Sequence, residues 1–322
     1  MRTRLRRLAL LLILATVGST SSGHPQEWPQ HPVKILVPYP VGGSSDEIAR
    51  VIADHLGDAF GQRFIVENRP GASGAIAAEA VARSAADGYT LFLASLPQIA
   101  MTPLVVKTSF DPIKDVVPIC VVATHSLTLV ARPSLPVKSL ADFVAYAHGQ
   151  QGHLTYAAAG GLSHLGMALF LKRAGVEMTP IMYKGGAQAV TDVIAGHVDA
   201  HLAISSIVLP YATGNMLRFL AVSSPQRLPQ IPNVPTIIES GYPGFKLVSW
   251  TGLMAPAGTP KEIIAHIAEE ARRAVEDPKT SAMLAAAGLD PAWSSPDEFA
   301  AMIAADIPTW GEAVKISGIA EK

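Results

Sequence analysis

The chain has 322 residues, 49% hydrophobic and 16% charged, with a formal net charge of −1. That length allows two domains at roughly 150 residues each, and the apolar content excludes wholesale disorder. The single cysteine, Cys120, excludes an internal disulfide, and the lack of a basic patch interleaved with aromatics argues against a nucleic-acid partner.

Residues 1–23 read as a secretory signal peptide. MRTRLRR is a basic n-region, LALLLILATV an apolar h-region and GSTSSG a small-residue cleavage zone. The apolar run is shorter than the roughly 20 residues that span a bilayer, so an uncleaved anchor is the weaker alternative. Removing four arginines leaves 25 − 4 = 21 basic against 26 acidic residues, a net charge near −5. No cysteine lies near the cleavage zone for lipid attachment, and no later stretch approaches membrane-spanning length. A periplasmic, soluble product is expected.

The rest of the chain alternates short β-branched runs with longer amphipathic ones. Strands are expected at 33–39, 63–68, 89–95, 153–159, 180–185, 199–205 and 217–223. Helices are expected at 45–59, 73–85, 139–148, 163–174, 186–196 and 206–213. Such a pattern implies an α/β fold of parallel sheets covered by helices, with ligands at the carboxyl ends of the strands. Two long β-rich segments, 116–136 and 245–260, interrupt the rhythm and suit a two-strand hinge between lobes. The chain then divides into residues 24–125 plus 246–322 as lobe 1 and 126–245 as lobe 2. The C-terminal return is helical, at about 260–276, 278–287 and 296–316. Cys120 sits in an apolar run and is expected to be a small buried hydrophobe.

Four glycine turns could carry chemistry. After the first strand, YPVGGSSDEIAR places Gly42 and Gly43 before a helix whose start, Ser44 to Glu47, fits a capping box. The apolar stripe Ile48, Val51, Ile52 and Leu56 follows. Free N–H groups at such a helix start suit an anion; a plain tight turn is the other reading. A Walker loop and G-x-G-x-x-G are both absent, so no nucleotide cofactor is expected. Tyr183-Lys184-Gly185-Gly186-Ala187-Gln188 repeats the arrangement in the second block, and two such turns would face each other across a cleft. Ala159-Gly160-Gly161-Leu162-Ser163-His164 is a third; neighbours on a helix do not face each other, so His164 reads as a satisfied ring rather than a catalytic base. His197 and His201 fall in different elements, and no metal is expected. The fourth, Glu67 to Gly74, is accounted for by a Pro-Gly turn with Arg69 paired to Glu67 or to backbone.

These stretches, with VENRPGASG, ADGYTLFLAS, YKGGAQAVTDVIAGHVD, PNVPTIIESGYPGF and WTGLMAPAGTP, resemble the tripartite tricarboxylate transporter receptors, the TctC-like or Bug-type solute-binding proteins. The resemblance runs from about residue 32 to the C-terminus. It implies a two-lobed periplasmic-binding-protein fold that closes on a small organic acid and hands it to the two membrane components of a transporter. It places the ligand loops on Tyr39, Gly42, Gly43, Ser44, Ser45 and Asp46, on Ser95 and Leu96, on Gly160, Gly161, Ser163 and His164, and on Tyr183, Lys184, Gly185, Gly186, Ala187 and Gln188. Backbone N–H groups near Gly43 would hold the carboxylate, and Asp46 would accept a bond from a water, hydroxyl or ammonium group. Val41 stands where the family has proline, the loop after Ala159 is short, and Leu96-Pro97 replaces small polar residues. These departures point to a less polar acid, aromatic or branched. A monomer is expected. A sensor presenting ligand to a membrane kinase would use the same cleft; an enzyme is the least favoured reading, because no nucleophile, base and orienting group converge.

Overall fold

The computed structural model describes residues 28–150, 152–286 and 289–317; the signal-peptide segment lies outside them. The strands, in chain order, are β1 (Val33–Val37), β2 (Phe64–Asn68), β3 (Thr90–Ser95), β4 (Val116–Ala131), β5 (Thr155–Ala159), β6 (Thr179–Tyr183), β7 (Ala200–Ile204), β8 (Arg218–Val222), β9 (Val248–Pro256) and β10 (Asp290–Pro291). Among the described residues they form one sheet in the order β2-β1-β3-β9-β4-β7-β5-β6, with β8 and β10 also paired to β4. All seven strands expected from the alternation are present, each within one or two residues of its expected bounds.

The helices are α1 (Ser44–Phe60), α2 (Ala75–Ala82), α3 (Thr102–Val105), α4 (Leu140–Gln150), α5 (Gly160–Ala174), α6 (Gly186–Ala195), α7 (Ser205–Val208), α8 (Lys261–Glu276), α9 (Pro278–Ala286) and α10 (Pro296–Ser317). The helix expected at 73–85 is shorter, because a 3-10 turn at Ala72–Gly74 precedes it. A π-turn at Pro97–Met101 leading into α3 has no counterpart among the expected elements.

Alternation along the strands decides which helices cover which face. Val33, Ile35 and Val37 of β1 pack with Ile48, Ile52 and Leu56 of α1 and with Ile267 and Ala271 of α8. Leu36 points the other way, with Phe92 of β3, Ala77 and Val81 of α2, and Phe299 of α10. In the second half Val190 and Val193 of α6 cover Ala157 and Ala203, while α4 and α5 cover the opposite face through Phe143, Leu165 and Phe170. The parallel pairing expected from the alternation holds around β1 and β5, and the two long segments, expected to cross between the lobes, run antiparallel to each other. β1–β2, β1–β3, β5–β6 and β5–β7 are parallel, but β3–β9, β4–β9 and β4–β7 are antiparallel.

The two long strands connect the halves. β4 runs for 16 residues. Its first part pairs with β9 from Val116↔Pro256 to Ser126↔Val248, and its second part pairs with β7 and β8 from Leu127 or Thr128 to Ala131. α10 belongs to the C-terminal return yet packs on α5 of the second half, with Lys172 and Glu312 forming an exposed ion pair at 3.3 Å. Trp250 of β9 fixes α10 from below: its ring is T-shaped on Phe299 at 4.7 Å, and its Nε1 donates to Asp306 at 2.7 Å.

Gly252 lies at the tightest point of this crossing. A Cβ there would stand 2.7 Å from the Cys120 carbonyl oxygen and 2.7 Å from the Phe299 ring. Gly252→Ala is therefore expected to destabilise the fold by about 1–3 kcal/mol through overpacking, measured by denaturant unfolding; Gly149→Ala, with open space around its added Cβ, serves as the tolerant control.

Candidate functional site

Each long helix of interest starts where a strand ends. α1 follows β1 through a turn in which Gly42 has φ +85, a left-handed conformation that glycine adopts without steric cost. Gly43 is the N-cap, in extended conformation, and no side chain caps the helix. The expected capping box is thus replaced by a bare start: helix geometry begins at Ser44, one residue earlier than a serine cap there requires. The Gly43 carbonyl accepts from the N–H of Asp46 (2.9 Å) and Glu47 (3.0 Å). No protein partner takes the N–H of Gly43 or Ser45 among the described residues.

Asp46 has a different task from the one expected. It is buried. Its Oδ2 accepts from the Gly42 N–H and from Arg50 Nε, and its Oδ1 from Arg50 Nη2 and Asn68 Nδ2, all at 3.0 Å. The Arg50 guanidinium, aided by the Gly42 N–H and the Asn68 amide, holds the carboxyl down to about 2. Asp46 braces the turn from behind and does not line the cavity in front of it.

The second half repeats the design. β5 runs directly into α5, so the helix expected from residue 163 starts three residues earlier, and Gly160 to Ser163 form its first turn with Ala159 as N-cap. β6 hands over to α6 with Gly185 as an extended N-cap. All three starts meet one cavity of about 720 Å³, lined by Gly43 and Ser45 of the first, Gly160, Gly161 and Ser163 of the second, and Gly186 of the third. The helices are 17, 15 and 10 residues long, so each start presents unpaired N–H groups and a partial positive charge. The volume suits a small molecule.

Of the other expected positions, Tyr39 and Ser95 also line the cavity. Ser95 Oγ donates to Gln98 Oε1 at 2.5 Å, and Gln98 Nε2 donates to Tyr39 Oη at 2.8 Å. Gln98 thereby fixes the phenol beside the cavity; Gly74 makes room for it, since a Cβ there would meet Gln98 Cγ at 2.4 Å. Leu96, His164, Tyr183, Lys184, Gly185, Ala187 and Gln188 stand outside the lining. Leu96 is core. His164 bonds Tyr156 Oη through Nδ1 at 2.9 Å, and Tyr183 donates its hydroxyl to Asp192 at 2.7 Å. Of Ser44, only its place as the first residue of α1 is described.

Several lining residues escaped sequence reasoning: His125, His201, Ser206, Ser249 and Thr251. They sit inside strands or in the first turn of α7, where no glycine flags a strand end. His201 Nδ1 lies 2.9 Å from the Ala157 carbonyl. A carbonyl only accepts, so that nitrogen carries the proton and Nε2 is the free acceptor. Burial pushes both His201 and His125 down to about 4. No Lys, Arg, Asp or Glu appears among the described lining residues. The wall is neutral, made of helix N-termini, hydroxyls and neutral imidazoles against apolar surface.

Residues 48–319 match the family described as the tripartite tricarboxylate transporter family receptor. Protein BugT of Bordetella pertussis is 36% identical, over 97% of this chain and 98% of its own. The structure of Rpa4515 of R. palustris with adipate superposes with a TM-score of 0.73 at 34% identity, covering 91% of this chain and 99% of that one. MatC (Rpa3494) of Rhodopseudomonas palustris, solved with bound malate, gives a TM-score of 0.69 at 30% identity, covering 89% and 100%. The chain belongs to this receptor family, a family of periplasmic solute-binding proteins, and shares its fold.

The two buried imidazoles make stability depend on pH. Their folded values near 4 lie below the ordinary 6.5, so between those limits the unfolded chain binds more protons than the folded one. Stability is then complete above about pH 6.5 and falls as pH drops towards 4, by up to about 3 kcal/mol per ring. Asp46, already near 2, adds its loss only below about pH 4. Melting temperature against pH should fall through the first window, and His201→Asn should flatten that part of the curve.

Proposed function

We propose that the protein captures a small organic acid at this cavity, holding its carboxylate on the N–H groups of the three helix starts, and delivers it to the membrane components of a tripartite transporter. The convergence of α1, α5 and α6 on a cavity without a cationic side chain carries this reading. An anion entering such a place gains several preorganised donors and three aligned dipoles. It displaces no internal ion pair, because Asp46 and Arg50 are already matched to each other. The relatives solved with adipate and malate hold acids of this class.

Export through residues 1–23 and action as a periplasmic monomer complete the proposal. The lobes, residues 24–125 plus 246–322 and 126–245, would close as near-rigid bodies about β4 and β9. Donors from both halves line the cavity, so an anion binding all three helix starts favours the closed arrangement. Small-angle scattering should show compaction with an acid that calorimetry shows to bind; unchanged scattering counts against closure.

Gly43 gives the sharpest test of the carboxylate's place. Its backbone is extended, and an added Cβ would meet only the Pro40 carbonyl at 3.8 Å. Gly43→Val should therefore fold, while its branched side chain occupies the space before the N–H groups. A charge-assisted hydrogen bond is worth roughly 1.5–3 kcal/mol, so binding should weaken about ten- to a hundredfold. A panel of mono-, di- and tricarboxylates and nicotinate-like acids, read by thermal shift, should find a ligand for the parent and little or no shift for the variant. A variant that folds and binds as tightly as the parent places the carboxylate elsewhere.

A further inference from the structure

His125 and Ser249 stand directly opposite each other on the antiparallel β4–β9 ladder, and both line the cavity. Residues so placed project from the same face of the sheet, with Cβ atoms about 4.5–5.5 Å apart. The Nδ1 atom of His125 and the Oγ atom of Ser249 are buried, and neither has a hydrogen-bond partner. Ser249 is 1% exposed. Buried polar atoms in native proteins are nearly always bonded, and each exception calls for an explanation. Here two exceptions are cross-strand neighbours facing the same cavity. Other hydroxyls of this wall have partners: Ser95 is tied to Gln98 and Tyr39 accepts from Gln98. Ser163 reaches His201 at 3.3 Å.

We propose that His125 and Ser249 form a second subsite that receives a hydroxyl group of the solute, so that the ligand is a hydroxy-monocarboxylate rather than a plain or a dicarboxylic acid. This rests on the carboxylate reading above. A hydroxyl both donates and accepts, so a single group can accept from Ser249 Oγ–H and donate to the free lone pair of a neutral His125 ring. A second carboxylate fits worse. It would enter a buried position without a cationic side chain in the described wall, and a buried charge needs a partner or must be neutralised. An alkyl end would leave both orphan atoms unmatched in the complex. Ser249 lies two residues from Thr251 on the same face of β9, and Thr251 also lines the cavity. The subsite is therefore set in the crossing strands, apart from the helix starts that take the carboxylate.

Calorimetric titration of the full chain, freed of residues 1–23, with acids of four to six carbons tests the subsite. Each length is offered as the plain acid, the dicarboxylate and its hydroxy positional isomers. One hydroxy isomer should bind at least about tenfold more tightly than both the plain acid and the dicarboxylate of its length. Ser249→Ala should shrink that preference by about three- to tenfold, the worth of one neutral hydrogen bond. It should also leave the melting temperature of the ligand-free protein unchanged or higher, since it removes an unmatched buried oxygen. His125→Phe should shrink the preference in the same way; if it fails to fold, the Ser249 result decides. A dicarboxylate or plain acid that binds as tightly as every hydroxy isomer overturns the inference and spares the carboxylate reading. So does a preference that survives Ser249→Ala intact. Failure of every acid to bind overturns both.

Discussion

The antiparallel ladder between β4 and β9 is the interaction on which the molecule depends. Each half of the sheet is a helix-covered α/β layer of parallel strands around β1 and β5, and within the sheet these two strands join the halves. β4 serves both halves, giving its first part to β9 and its second to β7 and β8. Its interior is almost wholly buried, with Ile119, Cys120, Val122, Leu127 and Leu129 all at 0% exposure. Burial likewise drives the Cys120 thiol upward, away from ionisation, so that cysteine is packing material. A shared strand of this kind constrains both halves, its pairing passing from β9 at Ser126 to β7 at Leu127 without a break.

That arrangement sets the character of the cavity. The two halves contribute helix starts from opposite sides, and the crossing strands contribute its inner polar atoms. The charges near it are matched behind the surface: Asp46 takes four donors, of which two come from Arg50. What remains in front is a neutral wall of oriented dipoles. Burying an ion among unoriented apolar groups costs far more than it returns, whereas N–H groups fixed by helix geometry need no rearrangement when an anion arrives. The same reasoning explains why the histidines of the wall are held neutral: a protonated ring at this depth would need a partner that the fold does not place beside it.

The repeated use of one local device has a structural cause. In a parallel α/β layer the chain leaves the carboxyl end of each strand and must turn into a helix over the sheet edge. At β1 the turn is long enough to need Gly42 at positive φ and an internal brace. At β5 there is no intervening loop, and the helix begins at Gly160 itself. The two halves therefore reach similar chemistry by different local geometry, one with a braced turn and one with an abrupt strand-to-helix switch.

Much of this was legible in the sequence. Alternating β-branched runs and 3.6-residue apolar stripes located the strands and nearly all the long helices, because those periodicities are local and the buried face of each element imposes them. The glycine pairs marked the strand ends for the same reason: only residues adjacent in sequence decide a tight turn. The resemblance added the family. Local reading failed where the decision was not local. Ser44 and Glu47 carry the letters of a capping box, yet the brace from Asp46 and Asn68 pulls the turn so that Gly43 becomes the cap. Gln98 orders Tyr39 from a π-turn that no periodicity announces. Asp46 looked like a residue facing a ligand and is turned inward by Arg50, one helical turn away, and by Asn68, on another strand. His125 and Ser249 are unremarkable letters inside two apolar runs. They become neighbours only because β9 returns along β4 in one register, and a strand's register is chosen by which faces the whole sheet buries. The sequence by itself determined the elements, the turns between them and the kind of protein. Only the tertiary structure decided which polar atoms share the cavity and which are spent on holding it open, because that depends on pairings between segments distant in the chain.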